Sequence, residues 1–193
     1  VLAPNHVNMA AAALRQALAA GIRIVLIDSG MTVRYHRCIV ASNNYRAGQL
    51  AAAHTATLLE GAGNVILARH MPDHASTHAR EQGFVDAIRT KHPRLKVIAD
   101  PYVGSSLGEA YRAMSELIGR PADIDAVFAV GEEATMGILR ALTEHDRQRT
   151  IKFIGFDINP LIREAILEGQ MDATVVQNAF QIGYQGVETA YRL

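Results

Sequence analysis

The stretch "DAVFAVGEEATMGILRAL", residues 125–142, carries the pattern that decides the fold. Residues 126–130 form a short apolar run of strand length, Gly131 breaks it, and residues 132–144 have the length and patterning of an amphipathic helix. A strand, a brief polar link and a helix make one βα unit. The same rhythm runs outward in both directions. Strands are expected at residues 1–3, 22–27, 38–41, 65–68, 96–99, 152–155 and 173–176. Helices are expected at 45–60, 77–91, 107–118, 160–168 and 180–193, several of them stopped by Gly or Pro. The alanine-rich segment "HVNMAAAALRQALAAG", residues 6–21, adds one more helix, with Met9, Ala13, Leu14, Ala17 and Leu18 on one stripe and a stop at Gly21. This alternation predicts the α/β class, with parallel sheets flanked by helices.

Composition narrows the function. The chain has 193 residues, with 19 lysines and arginines against 19 aspartates and glutamates, so no overall basic field recruits nucleic acid or an anionic membrane. Apolar residues make up 49% and charged residues 20%, which excludes a disordered chain. The single cysteine, Cys38, allows no internal disulfide and leaves the redox compartment open. The longest apolar stretch, "GIRIVLIDSG", is too short to span a bilayer. At the chain's start, two strands and a helix before residue 38 do not make a sheet with both faces covered, and its last segment stops within a helix. The expectation is a chain truncated at both ends.

In open parallel sheets, ligands bind outside the carboxyl ends of the strands, where loops and helix N-termini converge. Polar or aromatic groups stand at each of these places: "DSG" after Ile27, "RHMPDHAST" after Ala68, "DPY" after Ala99, "GEE" after Val130, "FD" after Gly155 and "QNAF" after Val176. Polar loops and caps account for part of this pattern.

Two motifs suggest other chemistry. His70, His74 and His78 fall four apart, as metal ligands on one helix face do, but Pro72 pushes Met71 out of the helical region and separates His70 from the others. The helix then starts from a cap at Asp73 or Ser76, with Phe84, Ala87 and Ile88 on its buried stripe and Arg80 one turn earlier, aimed over the ligand end of the sheet. "GSSLG" around Ser106 matches a hydrolase nucleophile elbow. It stands too far from its strand, and no histidine follows His145 to complete the order with Asp157.

Taken together, "IDSG", "ASNNYRAGQLAA", "REQGFVDAI", "DAVFAVGEEATMGILRAL", "IKFIGFDINP", "AILEGQMDATVVQN" and "GYQGVETA" follow one order and spacing over nearly the whole chain. In this the chain resembles the ribose-type periplasmic sugar-binding proteins, and more distantly the effector domains of LacI-type repressors. The resemblance implies a two-lobed periplasmic-binding-protein-like fold: residues 1–42 a partial first lobe, 43–176 the second lobe, and 177–193 a return helix of the first. It implies a ligand set in which Asp28 is the first-lobe carboxylate, Arg80 the second-lobe arginine, Asp157 the aspartate of the G-F-D motif and Gln177 a hinge amide. Ser29 stands where ribose binders have a second arginine, and Gly131, followed by Glu132, stands where they have an asparagine. Tyr102 and His74 complete the candidate set. Each assignment has a plainer alternative, in which Asp157 caps the helix at Pro160 and Arg80 pairs with a neighbouring carboxylate.

The function so implied is capture of a sugar or polyol and its delivery to an ABC transporter permease. The implied protein is a monomer, periplasmic or anchored as a lipoprotein, without cofactor or covalent chemistry. The alternatives are the effector domain of a regulator or the sensor region of a membrane receptor.

Overall fold

The computed structural model describes residues 1–8, 11–120 and 123–193. They form two compact units. The first comprises Val1–Asn44, Asp73–Ser76 and Gln177–Leu193; the second comprises Tyr45–Pro72 and Thr77–Val176.

The first unit holds helix α1 (Ala11–Ala19), strands β1 (Val25–Ile27) and β2 (Cys38–Val40), and helix α7 (Ala179–Arg192). β1 and β2 run parallel, Val25 opposite Cys38. The strand expected at residues 1–3 is a single parallel bridge from Leu2 to Leu26, held by Leu2 N–H to Val25 O and Ile27 N–H to Leu2 O, both 2.9 Å. The helix expected from residue 6 is described only from Ala11. Residues 5–8 are turn because the backbone of Val7 is used elsewhere: its N–H donates to Asp73 O and its carbonyl accepts from Thr32 N–H, each at 3.0 Å. Met9 lies outside the described residues. Of the expected stripe, Leu14 is buried and Leu18 is exposed, so the buried face of α1 is narrower than its alanine-rich sequence suggests.

The second unit is built on five parallel strands in the order β4-β3-β5-β6-β7, namely β3 (Gly63–Ala68), β4 (Leu95–Ala99), β5 (Ala126–Ala129), β6 (Lys152–Phe156) and β7 (Ala173–Val175). Its helices are α2 (Asn44–Leu58), α3 (Ala75–Lys91), α4 (Leu107–Ile118), α5 (Glu132–Glu144) and α6 (Pro160–Leu167); α2 and α3 start on residues of the first unit.

Successive residues of the central strands serve two separate cores. Val65, Leu67, Ala126, Phe128, Ile154 and Phe156 pack with α2 and α3. Ile66, Ala68, Val127, Ala129 and Phe153 pack with α4, α5 and α6. Both faces are covered, which is why these strands read as continuous apolar runs rather than alternating ones. The α2–α3 crossing is unusually close. A Cβ at Gly48 would collide with Arg80 O and one at Gly83 with Tyr45 O, so each helix presents a glycine to the other's backbone. That contact sets where Arg80 stands. Among the described residues no helix is long and apolar enough to cross a membrane.

Candidate functional site

In the first unit, Asp28 is the residue that follows β1. Its φ of 65° is left-handed, a region that L-residues other than Asn and Asp rarely enter. The turn lets its N–H donate to Val40 O at 2.9 Å, closing the end of the β1–β2 ladder. Ser29 is only 2% exposed, and its Oγ accepts the N–H of Ser76 at 3.3 Å. Ser76 lies in the first turn of α3, where N–H groups have no helical acceptor. Ser29, far away in sequence, thus supplies an acceptor to the first turn of α3. His74 stands before the helix, not within it, with Nδ1 3.3 Å from Ser76 Oγ. Gln177 receives Ser42 Oγ on its Oε1 at 3.0 Å, and the next residue, Asn178, caps α7 through Gln181 N–H.

The second unit repeats the aspartate. Asp157 follows β6 with φ 64°, and its N–H donates to Val175 O at 2.9 Å. Its carbonyl accepts Thr174 Oγ1 at 2.7 Å. The cap of α6 is Asn159, whose Oδ1 accepts Ile162 N–H at 2.9 Å, so the capping alternative for Asp157 does not hold.

Arg80 is 3% exposed; its Nη1 donates to Val130 O at 2.7 Å and its Cζ lies 3.5 Å from the centroid of the Phe156 ring. The guanidinium therefore sits between the ends of β5 and β6, stacked on an apolar ring. Its neighbour Glu81 forms a carboxylate ion pair of its own. Glu81 accepts Arg69 Nε at 3.0 Å and His70 N–H at 3.2 Å, while Arg69 also reaches Asp100 at 3.3 Å. Tyr102 bridges to Arg69 at the ends of β3 and β4, with the guanidinium 4.3 Å from its ring centroid. Gly131 precedes α5 and makes no side-chain cap, and Glu132 accepts Asn159 Nδ2 at 2.6 Å. Burial is the main influence that pushes the His70 imidazole below its ordinary value; Glu133, the Gly104 backbone and Glu81 oppose it, and Arg80 adds to it.

The two alternative chemistries lose their geometry. Ser106 is the N-cap of α4, in a reciprocal box with Glu109, whose Oε2 lies 2.8 Å from the Ser106 hydroxyl. That hydrogen bond, with the Ser105 and Ser106 N–H groups, holds the Glu109 carboxyl below the usual range. His145 engages Ser115 at 2.7 Å. Among the described residues no group of three His, Cys, Asp or Glu side chains could hold a metal ion.

Beside these candidates stand Phe156 and His70, which the sequence places after strands at the ligand end, and Glu81, which sequence reading did not single out. The "GFD" motif signals the first of them, because a ring one residue before the aspartate must lie at the same strand end.

Residues 1–193 match the family described as Periplasmic binding protein domain. The ribose import binding protein of Escherichia coli (strain K12) is 27% identical over 187 residues, covering 97% of this chain and 62% of that protein. The D-apiose import binding protein of Paraburkholderia graminis is 31% identical over 183 residues, covering 92% of this chain and 57% of that protein. The crystal structure of the periplasmic component of an ABC-type sugar transport system from Hahella chejuensis superposes with a TM-score of 0.93 at 35% identity, covering 98% of this chain and 69% of that one. The chain spans about 60% of the length of these curated relatives. Parallel sheets flanked by helices, an aspartate turned left-handed after one strand of each unit, and these likenesses agree: the chain belongs to the periplasmic binding protein domain family.

Proposed function

We propose that this chain is the sugar-recognising part of a solute receptor that captures a neutral sugar or polyol and hands it to an ABC transporter permease. One observation carries the reading. Asp28 and Asp157 occupy equivalent places, each the first residue after a strand, each with a left-handed backbone, and each with its N–H tied to the neighbouring parallel strand. Such strain persists where the surroundings over-determine it, and it collects at ligand-binding positions. Carboxylates accept pairs of adjacent hydroxyls, and a guanidinium such as that of Arg80 donates to ring and hydroxyl oxygens.

In this reading residues 1–42 and 177–193 belong to one lobe and 43–176 to the other. The ligand is held by Asp28 of the first and by Arg80, Asp157 and Glu132 of the second, with Tyr102 and His74 as further candidates. Ser29 acts by accepting from the first turn of α3. Closure turns about Ser42–Asn43 and Gln177, whose side chains are already joined by the Ser42–Gln177 hydrogen bond. The closed state is populated because the ligand bridges both lobes. The import proteins for ribose and D-apiose among the relatives favour transport over gene regulation. The working form is a periplasmic monomer, free or lipid-anchored, and its role is binding without covalent chemistry or cofactor.

The test is thermal shift of the protein against pentoses, hexoses and polyols, wild type beside Asp157→Ala. Stabilisation in wild type alone supports the reading, because native-state binding raises stability by mass action. Absence of any shift across the panel refutes it.

A further inference from the structure

The segment joining β1 to β2 gathers two arginines and a histidine around a cavity that the sugar-binding reading leaves unused. Thr32, Arg34, His36 and Arg37 line it, with the apolar Met31 and Ile39, and its volume is about 490 Å³. None of the candidate sugar ligands lines it, and no carboxylate does. The chain has no aspartate or glutamate between Asp28 and Glu60. The side chains of Arg34 and Arg37 are without a hydrogen-bond or ion-pair partner among the described residues. The Nδ1 atom of His36 is buried and has no hydrogen-bond partner either. A buried nitrogen left so is costly, and a ligand that pairs it removes the cost.

The segment is fastened to the rest of the first unit. Thr32 N–H donates to Val7 O at 3.0 Å and Arg37 N–H to Ile24 O at 2.8 Å, while Met31 and Tyr35 pack on Leu14, Ile24 and Leu26. The cavity is therefore formed in advance, which lowers the ordering cost of binding.

We propose that Arg34, His36 and Arg37 form a binding site for a phosphate group, carried by free phosphate or by a small phosphomonoester. This goes beyond the sugar-binding reading and does not depend on it. Two guanidinium charges with no carboxylate beside them balance one dianion, whereas a carboxylate ligand would balance only one of them. Their planar forks match phosphate oxygens in pairs, and the imidazole Nδ1 and the Thr32 hydroxyl add further hydrogen-bonding groups. Met31 and Ile39 offer apolar surface to the organic group of an ester.

The experiment titrates inorganic phosphate, phenyl phosphate and acetate into the protein by calorimetry, at about pH 7.5 and constant ionic strength. Wild type stands beside Arg34→Gln, Arg37→Gln, His36→Gln and, as a control for unspecific charge, Arg15→Gln at an exposed position of α1, each with a melting curve. The expected result is saturable binding of phosphate by wild type, about tenfold or more tighter than acetate. Arg34→Gln and Arg37→Gln should each weaken phosphate about tenfold and His36→Gln about threefold, while Arg15→Gln should alter it less than about twofold. Tighter binding of phenyl phosphate than of phosphate assigns the site to an ester, and equal or weaker binding assigns it to the free ion. No saturable binding by wild type, acetate binding as tightly as phosphate, unchanged affinity in the three cavity variants, or an equal loss in Arg15→Gln would overturn the site. Failure of both arginine variants to fold would overturn the claim that these side chains serve a ligand rather than the fold.

Discussion

Replacing Asp157 by glycine separates strain from recognition. At φ 64° an ordinary L-residue costs about 1–2 kcal/mol, and glycine has no such penalty. Glycine also loses more freedom on folding, an opposing effect of about 0.4–1 kcal/mol. Asp157→Gly should therefore fold with a stability within about 1 kcal/mol of wild type, whereas Asp157→Ala keeps the left-handed penalty. For a chain of this size about 1 kcal/mol moves the melting temperature by about 2–4 °C, and the net difference of about 0–1.6 kcal/mol places the alanine variant up to about 6 °C below the glycine one. Binding should respond differently. Two ligand hydroxyls on an ionised carboxylate contribute about 1.5–3 kcal/mol each, so either variant should weaken the sugar by about two to four powers of ten. In thermal shift with ligand at about 100 times the wild-type Kd, wild type gains about 2.7 kcal/mol and both variants lose nearly all of that gain. A ligand-induced shift that survives in Asp157→Gly would show that the carboxylate does not hold the ligand. A glycine variant melting more than about 10 °C below wild type would show that the side chain supports the fold, against the reading of the turn as strained for function.

Further outcomes follow from other contacts. Gly83→Ala puts a methyl against Tyr45 O and should cost about 1–3 kcal/mol in urea denaturation while displacing Arg80; an unchanged midpoint would contradict the close crossing of α2 and α3. Because burial holds the folded-state value of His70 below that of the unfolded chain, the unfolded state binds more protons. Stability should then fall as pH drops below about 6.5, and His70→Gln should lose that part of the pH dependence in melting curves between pH 5 and 8. Ser106→Ala removes the cap of α4 and should cost about 1 kcal/mol with no effect on sugar binding, and wild type should not react with an active-site serine probe.

Much of the second unit was legible along the chain. The bounds of α4 and α5 follow from local signals: Ser106 with Glu109 at one start, Gly131 at the other, and an uninterrupted apolar stripe within each. The stripe Phe84, Ala87, Ile88 with Arg80 one turn earlier is buried as its spacing implies, because helical periodicity is a property of neighbouring residues. The start of α1 was misread for the complementary reason. Alanine favours helix locally, but the Val7 backbone is engaged by Asp73 and Thr32, which propensity does not see.

The sequence by itself determined the alternation of strands and helices, the polar groups that follow the strands, and the family, since all three depend on local order and spacing. The tertiary structure alone decided that Asp28 and Asp157 share one left-handed turn, that Ser29 accepts from the first turn of a helix remote from it in sequence, and that Arg80 lies over the Phe156 ring. It also decided that Gly48 and Gly83 are required by close packing while Gly131 is not. These are facts about which atoms meet, and such meetings arise from long-range packing, where the same residue type can fill a contact or leave one open.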